Sequence, residues 1–385
     1  MKILWLTPFL PDPDATHAGG RAIYQWLSRL AQRHEITLLC RVDTGEAGRV
    51  DALRRLCRDV HVLRFDRPTG ALTTVRIAAS YFRLGRTANH LLRRGGFDLL
   101  HVEYVESGVG IATDLDVPAV LIAIDELAKP ARRRFELARG LAPRLATYLY
   151  WATIRGLERR ICRKFNRILA ASEYDRHLFR ALDPRLPVAT LPFPVGIDAG
   201  RVPATTREAD HLLFVGAMHR DTNIDAVRHF CREVLPAIRR TRPDVRLTIV
   251  GHEPPPEIRR LSRDPAIVVT GFVPRLEPYY ARATVFVCPV RIGGGILLKN
   301  VDAMAAGCPV VTTSAGNEGV GATPGVHLLT ADDPGAFAEA TVRLLRDADE
   351  RRRLADNARE FVRARFSVEA AVSQLEETYR EVGAA

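Results

Sequence analysis

The residues with the clearest chemical potential lie between Val290 and Thr313. An apolar run ends at Val290, and three glycines, Gly293, Gly294 and Gly295, precede a stretch with helical spacing that ends at Gly307. Glycine lets backbone amides approach an oxyanion closely, and a helix N-terminus adds unpaired N–H groups and a positive dipole end. The pattern predicts a phosphate cradle, although a glycine triplet alone fits a plain flexible loop equally well.

Two cations flank this stretch. Arg291 precedes the glycines and Lys299 follows them. Guanidinium and ammonium groups suit phosphate oxygens, so we expect both to neutralise a diphosphate. The alternative is that both are ordinary surface residues.

Short apolar or β-branched runs alternate with helix-length amphipathic stretches along the whole chain, which indicates parallel sheets built from βαβ units. Two sets of strands predict an α/β protein with two Rossmann-like domains and a cleft between them, because open α/β sheets bind ligands at the carboxyl ends of strands. The predicted strands are Lys2–Thr7, Glu35–Arg41, His61–Phe65, Leu99–Glu103, Ala119–Ile124, Arg167–Ala171, Leu212–Val215, Arg246–Val250, Ile267–Thr270, Val285–Val290, Pro309–Thr313 and Val326–Leu329.

Prolines and glycines between Leu191 and Gly200 interrupt the periodicity and mark the join. We predict a first Rossmann-like domain over residues 1–195 and a second over 196–365. Residues 366–385 are predicted to form a helix that returns to the first domain, with Ser367 as its N-cap.

Composition fits such an organisation. A chain of 385 residues exceeds what one core usually organises. It has no apolar run of eighteen residues, and its first residues do not resemble a signal peptide, so we expect neither a transmembrane helix nor secretion. The six cysteines are scattered without C-x-x-C pairs, as expected for free thiols in a reducing cytoplasm.

The chain is basic, with 56 Lys and Arg against 45 Asp and Glu. This charge favours anionic partners, although an arginine-rich solvated surface explains it too. Residues 129–167 hold twelve Lys and Arg against two Glu, together with Tyr148, Tyr150 and Trp151. The pattern predicts peripheral contact with the inner membrane face and a lipid-linked acceptor; the alternative is a solvated helix pair with aromatics facing the core. No nucleic-acid-reading module is recognisable, so we expect no nucleic-acid partner.

The motif R-I-G-G-G-I-L-L-K-N-V-D-A-M-A-A-G-C-P-V-V, beginning at Arg291, resembles the bacterial sugar transferases of glycosyltransferase family 4, which are retaining GT-B enzymes. The resemblance extends over nearly the whole chain and is weaker in the first domain. Its most specific part is Ala303–Val311. Further matching segments are Phe214–Met218, Asn223–Val227, Arg246–Gly251 and Thr270–Val273.

The resemblance implies that residues 1–195 are the acceptor-side domain and that residues 196–365 are the nucleotide-sugar-binding domain, with the donor site. Asp302 stands at the position of a family glutamate that holds the ribose, while Gly294 replaces a glutamate that touches the transferred sugar. Ala217 and Asn223 replace a basic pair, so Arg291 and Lys299, with Arg220, are expected to neutralise the diphosphate. The implied donor-binding residues there are Gly216, Arg220, Asn223, Phe272, Val273, Gly293, Gly294, Gly295, Ile296, Leu297, Leu298 and Asp302.

In the first domain the loop Pro8–Gly20 resembles a family loop whose glycines, here Gly19 and Gly20, approach the donor; a helix-start turn fits locally too. His17 in this loop could contact the acceptor or the donor, but a lone loop histidine is more often simply solvated. Asp125 occupies a place where relatives face the sugar with His or Asp, so we predict a catalytic role beside Arg291 and Lys299, with Glu126 ranked second. For His101, near Glu103, a satisfied core position is the favoured interpretation.

The predicted reaction is transfer of a sugar, with retention, from a UDP- or GDP-sugar to a hydroxyl acceptor, in polysaccharide, glycolipid or glycosylated metabolite synthesis. Amides and cations can stabilise the leaving diphosphate, and neither D-x-D sequence, at Asp12 and Asp114, suits a metal, so we expect no metal and no cofactor. The alternatives are a nucleotide-sugar epimerase of the same fold and a noncatalytic partner protein.

Overall fold

The computed structural model describes residues 1–15, 18–66, 73–124, 126–191, 193–195, 197, 199–218, 220–291 and 296–383. They form two compact units. The first contains Met1–Ala15, Gly19–Phe193 and Val368–Ala385, and the second is built from Pro194–Ser367.

All strands of both sheets run parallel to their neighbours. In chain order they are β1 Lys2–Thr7, β2 Glu35–Val42, β3 Asp59–Arg64, β4 Leu99–Glu103, β5 Ala119–Ala123, β6 Arg167–Ala170, β7 Val188–Thr190, β8 His211–Val215, β9 Arg246–Val250, β10 Ile267–Gly271, β11 Val285–Cys288, β12 Val310–Thr312 and β13 Leu329–Thr330.

Helices connect the strands. They are α1 Ala18–Leu30, α2 Val50–Arg54, α3 Thr73–Arg93, α4 Lys129–Leu137, α5 Leu141–Cys162, α6 Glu173–Leu182, α7 Asp221–His229, α8 Leu235–Thr241, α9 Pro256–Arg259, α10 Glu277–Arg282, α11 Leu298–Ala305, α12 Ser314–Asn317, α13 Pro334–Arg346, α14 Ala348–Arg365 and α15 Val368–Gly383. Short 3₁₀ helices lie at Thr44–Arg49, Val105–Gly108, Ala199–Arg201 and Arg260–Arg263, and a π-helical turn at Phe230–Val234.

The two sheets share one strand order. The first unit has β3-β2-β1-β4-β5-β6-β7, and the second has β10-β9-β8-β11-β12-β13. In each, the order reverses between the unit's first and fourth strands, which is where open α/β sheets leave a crevice at the carboxyl edge. Strands β4, β5, β8 and β11 are buried along their whole length, as expected when helices cover both faces.

The last helix, α15, belongs to the first unit, as expected from the predicted fold, in which the C-terminal helix crosses back. The Tyr379 side chain is fully buried there, and Gln374 Nε2 donates to the Thr190 carbonyl at 2.6 Å. An ion pair between Arg33 and Glu376, at 2.8 Å, ties the same helix to the segment after α1. The chain thus returns to its first unit through apolar packing and through polar contacts.

Most predicted strands are present, with ends that move by one or two residues. The predicted strand Val326–Leu329 is wrong. The Thr323 carbonyl accepts the amides of Val326 and His327, and Gly325 has φ 76°, so this segment is a turn and β13 begins only at Leu329. The three-residue strand β7 was not predicted.

All six cysteines are free, and five are buried while Cys231 is partly buried. Among the described helices, none is both long and apolar enough to cross a membrane.

Candidate functional site

Two glycines bring backbone together at the carboxyl edge of the second sheet. Gly216 follows β8 and donates its amide to Val250 of β9 at 2.9 Å. A Cβ on Gly251 would lie 1.8 Å from the Gly216 carbonyl oxygen, and a Cβ on Gly216 would lie 2.8 Å from both Asn223 Cγ and Lys299 Nζ. Gly251 therefore requires glycine, because a Cβ there would meet backbone, whereas a methyl group at Gly216 would displace the ends of the Asn223 and Lys299 side chains.

The cation at this edge is Lys299, in the first turn of α11. Its Nζ donates to Asn223 Oδ1 at 2.5 Å and lies 4.6 Å from the centre of the Phe214 ring. Burial lowers the pKa of Lys299, and the nearby charge of Arg220 lowers it further. An ammonium has three donor hydrogens, so this group can still donate to an anion at the edge.

Asn223, on α7, positions that ammonium. Its Nδ2 donates to the Ala217 carbonyl at 2.8 Å, while its Oδ1 accepts from Lys299. The side chain thus joins the loop after β8 to the lysine of α11. The sequence predicted Asn223 as a donor-binding residue at a position that has lost a basic side chain; the structure brings the Lys299 ammonium to that same place.

The second predicted cation is paired within the protein. Arg291 donates from Nη2 to Asp225 Oδ1 at 2.7 Å and from Nε to Oδ2 at 3.3 Å, and its side chain is 46% exposed. Asp225 lies on α7, two residues after Asn223, so both cations are near the same helix. The sequence analysis missed Asp225, although its position beside Asn223 in the matching segment marked it.

The remaining predicted donor residues of the second unit are either exposed near this edge or buried in the structure that supports it. Arg220 is exposed directly before α7, and Phe272 is 55% exposed after β10, its ring 6.0 Å from the His252 ring. Val273 and Leu297 are partly buried, whereas Ile296, Leu298 and Asp302 are buried. Asn300 anchors α11 through hydrogen bonds to Thr312 and Gly316.

Four predicted positions lie outside the described residues: Gly293, Gly294 and Gly295 of the cradle and Asp125 of the first unit. His17 lies outside them as well. The predicted donor-binding and catalytic roles remain predictions. Within the described part of the chain, no cluster of three His, Cys, Asp or Glu side chains could hold a metal ion.

In the first unit, Gly19 and Gly20 are not part of a loop. Helix α1 begins at Ala18, so both glycines lie in its first turn, and the Gly20 carbonyl accepts the Asp12 amide at 3.3 Å. The helix-start alternative is therefore correct for their local structure. A backbone approach to the donor at these glycines would involve a helix N-terminus.

Glu126 is buried, and the nearby Glu158 carboxylate holds the residues that follow Glu126 in the chain. Glu158 of α5 accepts the amides of Leu127 and Ala128, at 2.6 and 3.1 Å. Burial raises the pKa of Glu158 to about 8 and also raises that of Glu126. Glu158 fastens the start of α4, a role that sequence reasoning did not assign.

His101 is a core histidine with satisfied ring nitrogens, as the sequence analysis favoured. Nδ1 lies 2.7 Å from Tyr379 Oη, Nε2 lies 2.9 Å from Glu103 Oε1, and the ring stacks on Trp5. Burial lowers the pKa of His101 to about 3 and raises that of Glu103 well above its ordinary value. The three polar side chains join α15 to the first sheet.

Comparison with known proteins finds a family match within the second unit. Residues 209–347 match the family described as "Glycosyl transferases group 1". A protein of the cps region of Klebsiella pneumoniae is 27% identical over 43% of this chain and 45% of its own length. The putative glycosyltransferase YtcC of Bacillus subtilis is 32% identical over 30% of each chain. The matches thus span less than half of these curated relatives.

Solved structures match over nearly the whole chain. Sucrose-phosphate synthase from Thermosynechococcus elongatus has a TM-score of 0.74 at 20% identity, covering 100% of this chain and 99% of its own. Anabaena HepE, solved with UDP and glucose, has a TM-score of 0.69 at 16% identity, covering 98% and 99%. At these identities the likeness concerns the fold. Residues 209–347 thus match the group 1 glycosyltransferases, and the chain has the two parallel-sheet α/β units of the GT-B fold.

Proposed function

We propose that the chain is a retaining glycosyltransferase of family 4, which moves a sugar from a nucleoside-diphosphate donor to a hydroxyl acceptor. One observation carries the proposal: the Lys299 ammonium is held by Asn223 beside Gly216, at the strand-order reversal of the group 1 domain. The HepE structures with UDP and with UDP-glucose support a nucleotide-sugar donor.

In the proposed reaction the bond between the anomeric carbon and the diphosphate oxygen breaks as the acceptor oxygen bonds that carbon from the same face. The acceptor proton passes to the leaving phosphate oxygen, so sugar ester and alcohol become glycoside and nucleoside diphosphate. Lys299 stabilises the negative charge that develops on the leaving group, where a preorganised cation has its largest effect. Arg291 adds a second positive charge, and Asp302 receives the ribose hydroxyls.

We propose further that these cations and the amides of Gly293, Gly294 and Gly295 replace a metal ion. Asn223 supports this because it fixes the ammonium before the donor arrives, which lowers the reorganisation needed during the reaction. A chelator such as EDTA should leave the rate unchanged. A loss of activity that Mg²⁺ or Mn²⁺ restores would contradict the metal-free route.

For the acceptor we propose a hydroxyl on a lipid carrier. We also propose that the protein is cytoplasmic and contacts the inner membrane face through residues 129–167. The support is the basic charge of that region and its aromatic side chains. Asp125 is proposed to face the transferred sugar.

The test is a panel of UDP- and GDP-sugars incubated with the chain and with Lys299→Ala. We expect one donor to release its nucleoside diphosphate, an axial donor to give an axial glycoside, and Lys299→Ala to be slower by at least about tenfold. An equatorial product would overturn retention. A 2-epimerised sugar would favour the epimerase, and failure to bind any nucleoside diphosphate would favour a noncatalytic partner.

A further inference from the structure

Apolar side chains concentrate on the surface of one helix of the first unit. Of the twelve most exposed large apolar or aromatic side chains among the described residues, six lie on α5. They include Leu141 at 91% exposure, Leu145 at 60% and Leu149 at 56%. Monomeric proteins rarely leave such a contiguous patch to water without a use for it.

These leucines share one face of the helix. Leu141, Leu145 and Leu149 are spaced four residues apart, and Tyr148 falls between them on the same side. Helical spacing places Arg144 at the edge of this stripe, and its guanidinium lies 5.3 Å from the Phe135 ring. We call Leu141, Leu145, Tyr148 and Leu149 the apolar stripe.

The helix is anchored at its other end. Ile161 and Cys162 are buried in the core of the first unit, and Arg159 and Arg163 donate to Asp183 at 3.1 and 2.8 Å. Near the stripe, Trp151 stacks on Phe135 of α4 with ring centres 5.8 Å apart. The stripe is therefore presented by a supported helix pair.

The segment of chain that carries the stripe has charge of one sign. Between residues 138 and 157 the chain has no Asp or Glu and three arginines, Arg139, Arg144 and Arg155. Arg134 of α4 is also exposed. A second copy of this surface would bring like charges together, whereas an anionic bilayer matches the arginines and accepts the leucines. Tyrosine and tryptophan are the side chains that favour the headgroup level.

We infer that the apolar stripe of α5 is a membrane-docking surface. The helix lies in the plane of an anionic bilayer, with the three leucines among the acyl chains and the arginines at the lipid phosphates. This inference rests on the membrane contact proposed above for residues 129–167, but it needs neither a donor nor sugar transfer, so its failure is distinguishable from failure of the proposed reaction. It narrows the basic 129–167 region to one helix face.

The first test is flotation of the full chain with phosphatidylcholine vesicles with and without phosphatidylglycerol. We expect binding to the anionic vesicles, and at least about tenfold weaker binding for Leu145→Glu/Leu149→Glu. Val268→Glu/Val326→Glu is the matched control, because it changes two exposed valines of the second unit in the same way. Arg144→Gln should weaken binding by about fivefold.

A second readout reports insertion. The chain has three tryptophans, of which Trp5 and Trp26 are fully buried, so a vesicle-induced blue shift of the emission should come from Trp151 and vanish in Trp151→Phe. Absent wild-type flotation, or equal flotation of the double glutamate variant, would overturn the inference. The inference would also be overturned if the wild-type chain were a dimer that binds no vesicles and the double glutamate variant were a monomer.

Titration with UDP and GDP separates the two proposals. The double glutamate variant should bind nucleotide like wild type. Lost vesicle binding with nucleotide binding retained concerns the docking surface alone, whereas vesicle binding without nucleotide binding overturns the proposed reaction and leaves the docking surface standing.

Discussion

The two units have the same strand order but place their polar groups differently around the central strand pair. In the first unit, His101 of β4 lies on the sheet face, stacked on Trp5 and bonded to Tyr379 and Glu103. In the second, β8 and β11 carry mainly apolar side chains, and the polar cluster of Asn223 and Lys299 lies at the carboxyl edge.

The loops after the first strand differ in the same sense. In the first unit Arg41 donates to the Pro8 carbonyl at 2.8 Å and to Ser80 Oγ at 2.5 Å, and its guanidinium lies 4.1 Å from the Tyr81 ring. Its charge serves the protein's own structure. In the second unit Lys299 of α11 keeps donor capacity at an edge lined by glycine. One topology therefore supports a closed polar core in one unit and a candidate site in the other.

The largest expected effect is loss of the Lys299 charge. Lys299→Ala should lower turnover by about 10²–10³-fold, because it removes leaving-group stabilisation, and should lower UDP affinity by at least about tenfold. Kinetics with the preferred donor measure it. Arg41→Met is the matched control in the first unit, and it should lower thermal stability while UDP affinity stays near wild type. Equal losses of affinity in both variants would erase the distinction between the units.

Acid should destabilise the first unit through His101. Its pKa is about 3 when folded and near 6.5 when unfolded, so the unfolded chain binds the extra proton and stability falls as pH drops below 6.5. As the pH falls from 6.5 to about 4.5, the loss of folding stability due to His101 approaches roughly 2–3 kcal/mol. The free energy of unfolding, measured with urea, should therefore fall more steeply with decreasing pH for wild type than for His101→Gln. Parallel curves for the two proteins would contradict a buried neutral imidazole.

Glu103 contributes with the opposite sign. Its folded pKa is raised, so the folded state holds a proton that the unfolded chain releases, and stability falls as pH rises above about 4.5. Glu103→Gln should remove this loss and flatten the neutral-pH limb of the same curve.

Crowding the glycine edge should displace the lysine. Gly216→Ala puts a methyl group 2.8 Å from Lys299 Nζ, so we expect about tenfold weaker UDP binding, equivalent to about 1.4 kcal/mol. Gly156→Ala on α5 meets no atom within 4 Å and serves as the control. Unchanged UDP affinity in Gly216→Ala would show that the site does not use this edge.

The smallest effect concerns Arg291. Asp225 holds its guanidinium, so Asp225→Asn should release it and raise UDP affinity by up to about fivefold, the range of an exposed ion pair. Arg291→Gln should lower affinity and remove the gain in the double variant. A gain that persists without Arg291 would contradict its role as a phosphate ligand.

Local patterns predicted the framework better than the site. Continuous apolar runs located β1, β4 and β9 to the residue, because buried parallel strands need apolar side chains on both faces. The Asn223–Lys299 bond joins residues 76 apart, and the Arg291–Asp225 pair joins residues 66 apart. No periodicity specifies such pairings, since they form only when the sheet brings α7 to the residues that follow β11.

The most direct test of the central claim is calorimetric titration of UDP and GDP into the wild-type chain and Lys299→Ala, with thermal unfolding of both as the check on folding. We predict that wild type binds one of the two nucleotides and that Lys299→Ala, equally well folded, binds it at least about tenfold more weakly. Equal affinities, or no binding of either nucleotide by wild type, would contradict the assignment of this edge as the donor site.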